Sequence, residues 1–537
     1  MLRQLVPLFI GLLILGQTCL AQSPGMFTED MITAAELSNF ERTSTFKEVV
    51  DVLDALAANT SLMHRESLLL TKEGRDVPMV VLARPPVTSP AQAEQSGKPV
   101  IYIQGNIHGG EVEGKEASLI VMRDILYGDK QHLLDNQVIV FVPIYNADGN
   151  DAMAADTRPN QEQSPVMAGI RTAHGYDLNR DGMIVESDET AALYAQVIQR
   201  WDPDLLVDLH TTNGTWHGYS LTYAPSYHTA GDKATSDYSS DIMLPAIQQL
   251  VKDKFGLEFN WYGRFDYHDF PPTEYRTYHH APRYLTNYMG LRNRMAILSE
   301  TFSHDRFYKR VHVANAFVEE ILEYTNRHGD EIQRINREAD QRAAVSAMSR
   351  QRGVQFQMVP REESLNLLTY SYIPFTSQEG VTNYVRSAEL VTTPGVLNYN
   401  AFEPTKTAIM PNAYVFNAYF SELAEKLLQH GIEVDVLTTD STFEGQVFLI
   451  DAIDKQDYVQ NGHRNTLLSG QFRSKTQTFS PGDYLVSMDH RLAYLIFYLL
   501  EPESDDGLAY WNLLDDYLEE RLQEEGQVEY PVFKVMR

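Results

Sequence analysis

The chain has 537 residues, 43% of them hydrophobic and 22% charged, the composition of a folded protein with room for two or three domains. Its formal net charge of -29 excludes the broad basic face that nucleic acid or an anionic membrane would demand, so no nucleic-acid partner is expected. Acidity of this kind keeps a protein soluble; a preference for cationic substrates is the alternative reading.

The N-terminus reads as a secretory signal over residues 1–21. Arg3 supplies the positive start, and residues 5–15 form an apolar run too short to span a bilayer comfortably. Cys19-Leu20-Ala21 then sets a cut before Gln22. Acylation at Cys19 is the alternative, but Gly16-Gln17-Thr18 fits a lipobox poorly. No later run resembles a transmembrane helix, so a secreted or periplasmic chain without stable membrane insertion is expected. Cys19 is the one cysteine, and its removal leaves no disulfide and no thiolate. Any metal must then be held by nitrogen and oxygen.

Residues 26–75 mix a helical pattern around 46–50 with short strands, and the polar stretch 85–98 reads as a surface loop. Strands and helices then alternate. A strand at 99–104 precedes a helix at 114–126 with Ala117, Val121 and Ile125 on one face. A strand at 137–142, a long loop rich in Asp, Asn, Pro and Gly, a helix at 188–200 and strands at 205–209 and 295–299 follow. This alternation predicts an α/β fold, a mainly parallel or mixed sheet with helices on both faces, and ligands at the carboxyl ends of its strands. A helical segment with Phe317, Ile321 and Leu322 closes this part, and the charged stretch 328–352 is expected to continue it as helix. From about 355 short strand-like runs form an α+β region. One α/β unit stands out there: Tyr414-Val415-Phe416, a helix with Phe420, Leu423 and Leu427, the stop Gly431 and a strand at 434–437. Residues 507–521 read as a helix with Leu508, Trp511 and Leu518 inward.

Chemistry concentrates at the strand ends. His108 and Glu111 follow the buried run Ile101-Tyr102-Ile103 in a glycine-bearing loop. An imidazole and a carboxylate three residues apart on such a turn can converge on one ion, as two of the three protein ligands of an open zinc site. The motif is common by chance and depends on partners. His210, at the exit of the strand 205–209, can point across the sheet edge toward His108, although a histidine met singly there is more often a hydrogen-bonded loop residue. Between them, Asn179 and Arg180 offer an amide and a guanidinium fork that suit a carboxylate. Asp177 can accept a proton from the far nitrogen of a metal-bound histidine. Glu300, just past the strand 295–299, can move a proton between water and a leaving amine.

In this order, His108-x-x-Glu111, Asp177-Leu178-Asn179-Arg180, His210 and Glu300 resemble the M14 zinc carboxypeptidase family. Asn146-Ala147-Asp148-Gly149 approximates that family's Asn-Pro-Asp-Gly turn. The resemblance spans roughly residues 30–325 and leaves out the last third. It implies a zinc-carboxypeptidase-like mixed sheet flanked by helices, and one Zn2+ per chain held by His108, Glu111 and His210 with a fourth position for water. Glu300 would act as base and then acid, Asp177 would orient His108, and Asn179 and Arg180 would grip the C-terminal carboxylate of a peptide. Arg171 is implied as the residue that polarises the scissile carbonyl, with Arg158 the alternative. The family's mobile tyrosine would be Tyr278 or one of Tyr275, Tyr284 and Tyr288, which share its segment.

One position departs from the pattern: Asp181 stands where the family commonly has a second Asn after Asn-Arg. Its carboxylate would weaken anion binding or favour a cationic substrate group; pairing with an arginine at the surface is the expected outcome. The division implied is a signal at 1–21, a catalytic domain at 22–345 and a C-terminal accessory region at 355–537. That last region serves substrate binding, a structural cap or a dimer interface. The expected activity is zinc-dependent hydrolysis of peptide bonds beside a free carboxylate, on secreted or cell-wall peptides. A zinc deacylase of the aspartoacylase or succinylglutamate desuccinylase type is the alternative enzyme, and a non-catalytic binder of peptide termini the alternative class. Glu300 counts against the binder, which needs no proton carrier, and no Gly-x-Ser-x-Gly elbow supports a serine hydrolase.

Overall fold

The computed structural model describes residues 27–536 apart from 160, 162–164, 267–269, 347–350 and 379, so the expected signal segment and Cys19 lie outside the described residues. Eight strands form the central sheet: β1 (Met63–Leu70), β2 (Asp76–Leu82), β3 (Val100–Gly105), β4 (Val138–Val142), β5 (Leu205–Thr211), β6 (Leu221–Ala224), β7 (Phe259–Trp261) and β8 (Met295–Thr301). Their spatial order is β1-β2-β4-β3-β5-β8-β6-β7. The sheet is mixed. Strands β4, β3, β5 and β8 run parallel, whereas β1, β2 and β6 join by antiparallel pairs. Every residue of β3, β4, β5 and β8 is buried, as β-branched and aromatic runs require of strands covered on both faces.

Helices α1 (Phe46–Ala57), α2 (Glu113–Tyr127), α3 (Leu244–Phe255) and α4 (Phe307–Ser346) pack in series, α1 on α2, α2 on α4 and α4 on α3. A buried ion pair, Arg310 Nε to Glu113 Oε1 at 2.6 Å, fastens α4 to the first residue of α2. No helix among the described residues is long and apolar enough to cross a membrane. What positions the site is the register of three neighbouring parallel strands. Gly105 lies opposite Leu209, and His210 opposite Glu300, so β3, β5 and β8 end together on one edge.

Several expected elements differ. Residues 85–98 are not a plain loop: Ser89 caps a helix at Pro90–Ser96, and left-handed Gly97 ends it. The helix expected at 188–200 is an α segment at Asp188–Leu193 followed by a π turn at Tyr194–Ile198. Helix α4 takes in the charged stretch through Ser346 as one element of 40 residues, whereas Arg352 stands in the strand Gln351–Val359. Beyond it the strands are long. Leu365–Thr376 pairs with Thr382–Tyr399, and Ser441–Lys455 with Thr466–Phe479 inside a seven-stranded sheet. The α/β unit is present as Ala413–Phe416, the helix Ser421–Gln429 and left-handed Gly431, but its last strand is only Asp435–Val436. Leu508, Trp511 and Leu518 are buried as expected, yet the helix begins at Asp515, so the first two pack from turns. One apolar core runs from the central sheet into Phe416, Leu423, Tyr494 and Trp511.

Candidate active site

The turn after β3 is folded by its own side chains. Asn106 adopts φ 69° and its Nδ2 donates to the carbonyl of Gly109 at 3.0 Å. Gly109 lies so close to the next loop that a Cβ would meet the carbonyl carbon of Gly149 at 2.3 Å. That loop is the 146–149 turn, whose Asn146 side chain accepts from Gly149 N at 2.8 Å and donates to Ile107 O at 3.2 Å. The two turns thus lock together, and His108 and Glu111 project from the locked unit.

The expected ligands meet. His108 Nδ1 lies 3.0 Å from Oε1 of Glu111, and His210 Nδ1 lies 2.9 Å from Oε2. One ligand atom from each of the three lies within 4.8 Å of the others, and all three residues are buried. Behind each imidazole stands a carboxylate: His108 Nε2 is 3.1 Å from Asp177 Oδ1, and His210 Nε2 is 2.8 Å from Asp208 Oδ2. A proton held at each Nε2 leaves both Nδ1 lone pairs aimed at the Glu111 carboxylate, an arrangement that a cation between them satisfies; without one, Asp208 and Glu111 overcome burial and raise the His210 pKa well above its usual value. Two imidazoles and one carboxylate, oriented from behind and without thiolate, fit zinc. Burial alone would raise the Glu111 pKa, but the charges of His108 and Arg158 outweigh it and hold the carboxyl well below its usual range. Burial is likewise overcome at Asp177, by the hydrogen bond and charge of His108 and by Arg180 and Arg171.

Glu300 sits on β8 directly across from His210, and its buried Oε2 has no partner. Burial pushes its carboxyl up to about 8; His210 opposes the shift and Glu111 adds to it. A carboxyl poised this way can gain and lose a proton near neutrality. Arg158 and Arg171 both line the cleft, which holds about 410 Å³. Arg158 reaches Glu111 Oε1 at 2.6 Å, whereas Arg171 gives Nε and a terminal nitrogen to Asp177 Oδ2 at 2.9 and 2.8 Å. Asn179 is fixed by Leu285 N at 3.2 Å, and the Arg180 guanidinium stacks 4.2 Å from the centre of the Tyr284 ring.

Asp181 corrects the sequence reading. It neither faces solvent nor pairs with an arginine; it is buried and accepts from Glu186 N at 2.8 Å and from Ser187 N and Oγ at 2.9 and 2.5 Å. It closes the loop behind the Asn179-Arg180 pair and contributes no charge to the cleft lining. Of the four tyrosines weighed, Tyr278 and Tyr284 line the cleft, while Tyr275 packs with Tyr219 and Tyr288 stacks on Tyr194. Tyr262 lines it too and was not foreseen.

Two positioning contacts were also missed. Asp208 was readable, because residues two apart on a strand share a face and Asp-x-His puts the carboxylate beside the imidazole. Asn461, from the C-terminal region, was not. It accepts from Asp177 N at 3.0 Å and donates to Asp177 O at 3.1 Å, bracing the backbone of the residue behind His108. A second acidic group, Glu73, Asp148 and His174, already contains the Arg75 guanidinium, which binds both carboxylates.

Residues 49–316 match the family model described as zinc carboxypeptidase, peptidase M14. Carboxypeptidase 2 of Trichophyton rubrum is 21% identical over 482 residues, covering 85% of this chain and 81% of that protein, so the likeness takes in part of the last third. A metallo-carboxypeptidase of Pseudomonas aeruginosa, solved in complex with (2-guanidinoethylmercapto)succinic acid, aligns over 53% of this chain and 69% of its own. Its identity is 15% and its TM-score 0.38. Carboxypeptidase A of Helicoverpa armigera aligns over 54% and 75%, at 15% identity and a TM-score of 0.38.

Proposed function

The chain belongs, through residues 49–316, to the zinc carboxypeptidase family and is a zinc-dependent peptide hydrolase of that kind; within it we propose that His108, Glu111 and His210 hold one zinc per chain and that Glu300 carries the proton. The observation that carries this reading is the pair of Nδ1 atoms converging on both oxygens of Glu111, one strand away from the unpartnered, buried Oε2 of Glu300. Zinc there would polarise a carbonyl and lower the pKa of a water toward neutrality. Glu300 takes the proton of the attacking water and returns it to the departing amine. Asn179 and Arg180 hold the terminal carboxylate of the peptide, and Asp177 fixes the His108 ring. For the developing oxyanion the freer guanidinium is Arg158, because Arg171, the residue first expected there, commits Nε and a terminal nitrogen to Asp177.

Residues 1–21 act in this reading as a cleaved export signal, 22–345 as the catalytic domain and 355–537 as a region that braces it, with Asn461 as the contact nearest the chemistry. The activity is exopeptidase removal of C-terminal residues from extracellular peptides. Mass spectrometry of a peptide pool with free and amidated C-termini tests it. Shortening of the free-acid peptides alone is the expected result, and equal cleavage of amidated peptides rules out the carboxylate grip.

A further inference from the structure

The cleft carries more positive charge than this reaction uses. Arg158 and Arg171 are engaged with Glu111 and Asp177, and Arg180 is assigned to the terminal carboxylate. A fourth arginine, Arg264, lines the same cleft where it adjoins a second pocket bordered by Asp266, Glu274 and Arg276, and it forms no ion pair with any described residue.

The direction of Arg264 is built into its backbone. The residue lies just past β7, and its N–H and carbonyl pair with those of Arg276 at 2.9 Å each. On one side Gly263 lies against Tyr275, where a Cβ would meet the ring at 2.6 Å, and on the other Phe265 is buried with Tyr219, Tyr275 and Leu367. Alternation along this extended segment turns Arg264 and Tyr262 toward the cleft. The carboxylates in the cleft lining are Glu111 and Glu300, both used by the reaction, and Asp181 is turned inward. In a chain of net charge -29, this wall inverts the sign of its surroundings.

We propose that Arg264 forms an acidic subsite, and that the favoured substrate is a peptide whose C-terminal residue, glutamate or aspartate, carries a second carboxylate. Arg180 holds the terminal carboxylate and Arg264 the side-chain one. The inference rests on the peptidase reading above. A guanidinium–carboxylate pair is charge-assisted and can be bidentate, whereas an amide of the same shape offers a single neutral acceptor, so about tenfold discrimination follows.

The test is kcat/KM of the zinc-loaded full chain on N-blocked peptides ending in Glu, Gln, Leu or Lys. The wild type should favour Glu over Gln about tenfold. Arg264→Ala should bring that ratio near one, and Arg264→Glu should turn the preference toward Lys. A wild-type ratio of one or less, or a ratio that survives Arg264→Ala, overturns the subsite. So does a stronger preference for Glu at the penultimate position. If no peptide is cleaved, the peptidase reading has failed. The subsite is then judged by calorimetric binding of the Glu- and Gln-ending peptides, where equal affinities overturn it.

Discussion

A single proton position decides what His108 can do. With Asp177 Oδ1 3.1 Å from Nε2, a hydrogen kept on that side would leave Nδ1 as a lone pair for the metal. Asp177→Asn keeps the shape but can present an N–H to the same nitrogen and so stabilise the wrong tautomer. It should weaken zinc binding about 10- to 100-fold in a chelator competition, while the chain stays folded. Unchanged zinc affinity would remove Asp177 from the account. These residues were legible in the sequence because each motif is short and fixed to the end of a buried run. Asp181 was misread for the opposite reason. Its partners, the N–H groups of residues 186 and 187, come from the loop it folds, and nothing in Asn-Arg-Asp-Gly announces that loop's path.

At the scale of elements, the buried strands and amphipathic helices around the site follow from their patterns, and the elements that escaped did so for local reasons. Register shifts at Tyr370/Tyr372 and Ile450/Ala452 interrupt strict alternation, so long hairpins looked like short runs. The helix at Pro90–Ser96 is held by its cap rather than by an apolar face. Helix α1 shows the same terminal chemistry with a charge in it. Glu48 closes a capping box with Thr45 and pairs with Arg42 at 2.7 Å. The Arg42 hydrogen bond, with help from Thr45, lowers its pKa to about 2. A depressed carboxylate contributes stability above the unfolded pKa of about 4.5 and loses it as pH falls toward about 2. Glu48→Gln keeps a capping acceptor but removes the charge. It should cost about 1 kcal/mol or less at pH 7, since the pair is partly exposed, and that difference should vanish near pH 2. A penalty that is the same in thermal melts at both pH values would show that the ion pair contributes nothing.

The whole molecule is needed to complete the site. Asn461 reaches Asp177 from 284 positions away, and Arg283 N donates to Asp506 Oδ2 at 2.7 Å across 223. Contacts of that span leave no trace in local pattern, which is why the C-terminal region carried no chemistry when read alone. The likeness to the Trichophyton rubrum protein, running into the last third, is of a piece with a chain whose core is continuous from the central sheet to Trp511. The central claim is that three buried ligands converge on zinc while Glu300 stands apart as the proton carrier. Zinc content by elemental analysis of the purified full chain, measured beside peptide hydrolysis for wild type, His108→Ala and Glu300→Gln, tests it most directly. The account predicts about one zinc in wild type and in Glu300→Gln, little in His108→Ala, and hydrolysis by the wild type alone. A wild type that hydrolyses peptides without zinc, or a Glu300→Gln variant as active as wild type, would contradict it.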